Sequence, residues 1–77
     1  MILDQMVDVL VEFIEKIYQL YRSGELTETD YAKLTANKLL FIENHIDQIK
    51  KFELKYRCES LLAINGYNLQ GSTTLLH

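Results

Sequence analysis

From Ile2 to Arg22 the apolar residues recur in three interleaved seven-residue series. Leu3, Leu10 and Ile17 form one, Met6, Phe13 and Leu20 a second, and Val7, Ile14 and Tyr21 a third. On a helix of 3.6 residues per turn these are the a, d and e positions of a heptad, one wide apolar face. Asp4, Asp8, Glu12, Glu15, Gln19 and Arg22 fall on the opposite side. The spacing predicts a helix over 2–22. Val9, Val11 and Tyr18 widen its apolar surface beyond what one partner helix covers. The helix is expected to touch two neighbours, one in its own chain and one outside it.

The stretch "YRSGELTETDY", Tyr21 to Tyr31, ends that helix and starts another. Gly24 can take the left-handed conformation that closes a helix C-terminus. Thr27 is a good N-cap, with Asp30 three residues on, and Glu28 and Asp30 suit the positive end of the helix dipole. So short a connection predicts antiparallel neighbours.

The next stretch is helical in composition from Glu28 to about Ile64. Leu39, Ile42, Ile46, Ile49 and Tyr56 form a stripe, with Tyr31, Thr35 and Phe52 beside it. A single helix there would be about 55 Å long against about 30 Å for the first. Asn44, with Asp47 three residues later, offers an N-cap for a break near 43–45. With no proline in the chain and no glycine in this stretch, a continuous or kinked second helix is preferred. Asn65–Gly66 stops it, and the polar 66–77 segment is expected to be a flexible tail after a single helical domain, 1–65.

Charge divides along the chain. Residues 1–30 are acidic and 31–57 basic, so the two segments attract. The net charge is −3, which argues against general nucleic-acid binding. The opening "MILDQMVDVLVEF" carries Asp4 and Asp8 and lacks a basic leader region, so neither a signal peptide nor a membrane span is expected. One cysteine, Cys58, excludes an internal disulfide and fits a reducing cytoplasm. A core this small calls for oligomerisation.

Catalytic chemistry finds no home in the pattern. His45 and Cys58 are thirteen residues apart on one helical segment, about 20 Å if it is straight. Glu43-Asn44-His45 has the wrong spacing for a di-iron bundle, and His45 and His77 have no metal-ligand partners in sequence. No glycine loop suited to phosphate is present. No enzyme activity, cofactor or metal is expected.

Two resemblances bear on the joint. Leu26, Thr27, Ala32, Ile42, Glu43 and Asn44 resemble in kind the helix-turn-helix of phage-repressor-like regulators. The interior is too short, however, and lacks the turn that aims a recognition helix. Residues 13–40, with Leu20, Gly24, Leu26, Thr27, Asp30 and Tyr31, resemble the short helical hairpin found at the C-termini of bacterial proteins. That resemblance implies self-association or an adaptor role, although here a long segment follows the hairpin.

The expected molecule is all-α: an antiparallel helical hairpin with a long or kinked second helix, completed as a dimeric bundle. The expected function is that of a small bacterial or phage regulator or adaptor acting on itself as a homodimer and on another protein. Candidate interface residues are Val9, Val11, Phe13, Tyr18, Tyr21 and Phe41, with Tyr18 and Phe41 foremost as exposed anchors. The alternative is a nucleic-acid-associated protein using Lys50, Lys51, Lys55 and Arg57 on phosphates, or an acidic mimic that blocks a DNA-binding protein.

Overall fold

The structure is a computed structural model that describes residues 2–67, so the expected tail lies outside the described residues except for Gly66 and Tyr67. The described residues form three α-helices and no strand: α1 (Ile2–Arg22), α2 (Glu28–His45) and α3 (Phe52–Ile64), with a 3-10 turn at Ile46–Gln48. The protein is all-α.

α1 ends as its sequence requires. Gly24 has φ +89°, its N–H donates to the Tyr21 carbonyl at 3.1 Å, and the Glu25 N–H donates to Leu20 at 2.9 Å. This pair of bonds satisfies carbonyls that the helix end leaves without partners. Thr27 then caps α2, its hydroxyl accepting the Asp30 N–H at 3.1 Å. α3 closes with the same device as α1. Gly66 has φ +85°, its N–H reaches Ala63 at 3.1 Å, and the Tyr67 N–H reaches Leu62 at 2.9 Å. Tyr67 packs back on the core.

Residues 28–64 are not the continuous or kinked helix that the absence of glycine and proline favours. They are two helices, α2 and α3, separated by the 3-10 turn and an extended step in which Ile49 and Lys51 have ψ of 129° and 121°. Nor does the break fall at 43–45: α2 runs through Asn44 to His45. What holds the break open is Asp4. Its carboxylate accepts the backbone N–H of Lys51 at 2.9 Å and that of Lys50 at 3.2 and 3.3 Å. Asp4 is therefore 4 % exposed and does not belong to the solvated face of α1.

The core is Val7, Val11 and Ile14 of α1, Leu39 and Ile42 of α2, Ile49, and Leu54, Cys58, Leu61 and Leu62 of α3. Each helix packs on the other two. Two expectations about faces are corrected by this third helix. The Met6, Phe13 and Leu20 series of α1 lies outside the core, because α2 and α3 together close on the Val7–Val11–Ile14 side. Phe52 and Tyr56 do not continue the α2 stripe. The break resets the helical phase and leaves them 82 % and 63 % exposed.

Candidate functional site

Most exposed apolar side chains form two faces, on α1 and on α3, and Leu34 and Leu40 of α2 are exposed apart from them. On α1, Ile2, Met6, Val9, Phe13 and Leu20 are all exposed and follow one another at steps of four, three, four and seven residues. Steps of three and four keep side chains on one side of a helix. Val9 is the most open of them at 68 %. Beside this stripe runs an open groove of about 480 Å³ between α1 and α2, lined by Met6, Val9, Leu10, Asn37, Lys38 and Phe41. Lys38 lies 5.0 Å from the centre of the Phe13 ring and donates to the Leu34 carbonyl at 3.2 Å. Phe41 stacks on His45 at 4.2 Å, and the imidazole Nδ1 bonds the Phe41 carbonyl at 2.8 Å.

The second face belongs to α3. Phe52 and Tyr56 sit one turn apart on its outer side, and Ile64 at the far end is 55 % exposed. Cys58 and Leu62 on the inner side are fully buried.

The sequence-derived interface residues therefore separate. Val9 and Phe13 lie on the α1 stripe, and Phe41 reaches the groove from α2. Val11 is fully buried and belongs to the core. Tyr18 and Tyr21 are half-buried in a cluster with Tyr31, where Tyr21 stacks on Tyr31 at 5.0 Å and Tyr18 meets it edge-on at 5.9 Å. The Tyr31 hydroxyl donates to the Asn65 side chain at 2.7 Å, and Asn65 Nδ2 donates to Leu61 at 2.8 Å. This cluster ties the α1–α2 joint to the end of α3. Burial raises the Tyr31 phenol above its ordinary value. Tyr18 also accepts from Arg22 at 3.0 Å, which raises the arginine. Tyr18 and Phe41 are half-buried, whereas Val9 and Phe52 are the most open apolar side chains of α1 and α3.

The basic residues also separate. Arg57 Nη2 donates to Glu15 at 2.8 Å, with longer contacts from Nε to Glu15 at 3.4 Å and from Nη1 to Asp8 at 3.5 Å. The Glu15 carboxylate is the main reason the guanidinium is raised above its usual value. Attraction between an acidic first helix and a basic later segment is thus realised by α1 and α3. Lys50 and Lys51 are exposed at the break, and Lys55 is half-buried on α3.

The thiol of Cys58 has no exposure, and burial pushes it up to about 11. Among the described residues no group of three metal-ligating side chains converges, and no helix is long and apolar enough to cross a membrane. Sequence reasoning missed Ile2, Phe52, Tyr56 and Ile64 as exposed apolar residues. For Ile2 the signal was present, one turn before Met6. For the α3 residues it depended on a phase that only the break sets. No family model matches the chain, and neither a curated protein nor a solved structure matches it.

Proposed function

We propose that this chain is a small non-catalytic regulator or adaptor, of a bacterial or phage kind, that works in the cytoplasm as a homodimer and binds another protein. The observation that carries this reading is the pair of apolar helical faces, on α1 and on α3, that the three-helix core leaves in water. Exposed Ile, Met, Val and Phe side chains aligned on a helix lose free energy to water unless another surface covers them. The polar side chains with distinctive contacts have structural roles: Asp4 holds the break, Arg57 bridges two helices, and Asn65 joins α3 to α2. The one thiol is sealed inside, where it is a poor nucleophile.

In vivo photo-crosslinking tests the reading. A photoreactive residue at Phe52, on the α3 face, is expected to capture a different protein, whereas one at the exposed polar position Lys33 captures none. Adducts absent at Phe52, or consisting there only of this chain joined to itself, would overturn the adaptor role.

A further inference from the structure

We infer that the α1 stripe is the seam of an antiparallel homodimer, in which the α1 helices of two copies pair about a two-fold axis. This rests on the reading of the apolar faces as binding surfaces and names the occupant of one of them. With Lys16 included, the stripe is Ile2, Met6, Val9, Phe13, Lys16 and Leu20, at steps of four, three, four, three and four. That alternation is the repeat of a two-helix seam, and it continues along nearly the whole of α1. The band offers on the order of 500 Å² of apolar surface, within the range of the largest patch on a monomer, which is often functional. Two copies burying it would together cover about 1,000 Å², the lower end for a specific interface.

Matching of size and charge selects a second copy, and its direction. Run antiparallel, the stripe meets itself as Ile2 on the partner's Leu20, Met6 on the partner's Lys16, and Val9 on the partner's Phe13. The central layer then sets the large Phe13 against the smaller Val9, and the outer layers pair side chains of similar length, as close packing of a shared core requires. Val9 itself lines the groove with Leu10 and Phe41, and that groove receives the partner's Phe13. Run parallel, the same stripe would set Phe13 on Phe13 and Val9 on Val9. It would also place the two Lys16 ammonium groups together, a like-charge contact in a drying interface. In the antiparallel pair each Lys16 lays its methylenes over the partner's Met6. Three of the four acids of α1 are turned away from the seam, and the fourth, Glu12, is exposed beside it. Asp4 faces the break, and Asp8 and Glu15 face Arg57. The α3 face stays open for the adaptor's partner.

Two experiments on the full chain test this. In sedimentation equilibrium the protein is expected to be dimeric at about 100 µM, and Val9→Glu to raise the dissociation constant at least about tenfold with an unchanged circular dichroism spectrum. Direction is read by disulfide exchange in a glutathione buffer, with Ile2→Cys and Leu20→Cys chains mixed. Both positions are outside the core. The mixed disulfide, joining one Ile2→Cys chain to one Leu20→Cys chain, is expected to predominate. Two Ile2→Cys chains cannot bridge, because their new thiols would lie about 27 Å apart in the antiparallel dimer. Predominance of disulfides between two Ile2→Cys chains and between two Leu20→Cys chains overturns the pairing. So does a monomer at about 100 µM, or a dimer indifferent to Val9→Glu. A monomer that still yields photo-adducts with another protein would sink the seam and leave the adaptor role standing.

Discussion

Asp4 Oδ2 accepts the backbone N–H of Lys51 at 2.9 Å, across 47 positions of sequence. The bond fixes the first turn of α1 to the start of α3, and it satisfies amide groups that the break would otherwise leave without a partner. Replacing Asp4 by Ala removes the acceptor and leaves two amides facing an apolar side chain. The melting temperature is expected to fall by roughly 5 °C or more. Amide exchange at Lys50 and Lys51 should accelerate more than exchange in α1 and α2. Uniform acceleration across all three helices would show that the carboxylate has no local hold on the break.

The same bond predicts an acid limb of stability. The hydrogen bond from Lys51 is the main reason the Asp4 carboxyl sits below its ordinary value of 3.8, and the bond from Lys50 acts in the same direction. The folded state therefore favours the ionised form. As pH falls through this range the unfolded chain takes up the proton first, and folding loses free energy. This contribution is present in full above the unfolded value and disappears once pH drops below the folded one. Denaturant melts of the wild type and of Asp4→Asn at pH 2 to 6 measure it. The variant should show a flatter acid limb, and parallel curves would remove Asp4 as a source of the pH dependence.

Much of the fold was legible along the chain, but the break was not. Gly24 and Thr27 announce the first joint through backbone requirements that are local, and Asn65–Gly66 announces the end of α3 in the same way. The break at 46–51 has no such residues. Its cause is a carboxylate near the start of the chain, which pattern reading assigns to the solvent side of α1. Everything after it inherits the error. A helix carried through 46–51 points Tyr56 inward, whereas the real α3 turns Leu54, Cys58 and Leu61 inward and Phe52 and Tyr56 outward. On α1 the excess apolar width was visible. Which part of it the core takes was decided by α3, whose position the chain's local pattern does not encode.

Arg57 and Glu15 supply the polar bridge between α1 and α3. Their side chains are 39 % and 38 % exposed, so water and salt screen the pair strongly. A double-mutant cycle of Arg57→Ala and Glu15→Ala should give a coupling of about 0.5 kcal/mol at low salt, shrinking toward zero at about 1 M. A coupling unaffected by salt would mean that packing of the arginine stem, and not its charge, links the helices.

Gly24 and Gly66 allow backbone strain to be measured without steric interference. Both have φ near +90°, and a methyl group at either position would meet nothing within 4 Å. Gly24→Ala and Gly66→Ala should each cost about 1 kcal/mol, from the left-handed conformation alone. D-alanine, introduced by chemical synthesis, favours positive φ and should restore or exceed wild-type stability. If L- and D-alanine were equally costly, the loss would have to come from something other than chirality.

Cys58 reports on opening of the core. The thiol has no exposure, and burial raises it from its ordinary 9.0 to about 11. At pH 8 the native thiolate is scarce as well as inaccessible, so a thiol reagent should label Cys58 only through opening of the core. Labelling should accelerate with urea in proportion to the unfolded population. The pKa shift also has a stability consequence of opposite sign to that of Asp4. Folding favours the neutral thiol, so this contribution is complete below pH 9 and is lost as pH rises toward 11, where the unfolded chain ionises first. Cys58→Ala should remove that alkaline decline, even where the lost sulfur lowers stability at every pH. Rapid labelling of the folded protein at pH 8, with no dependence on urea, would instead place Cys58 within reach of solvent by local motion of α3.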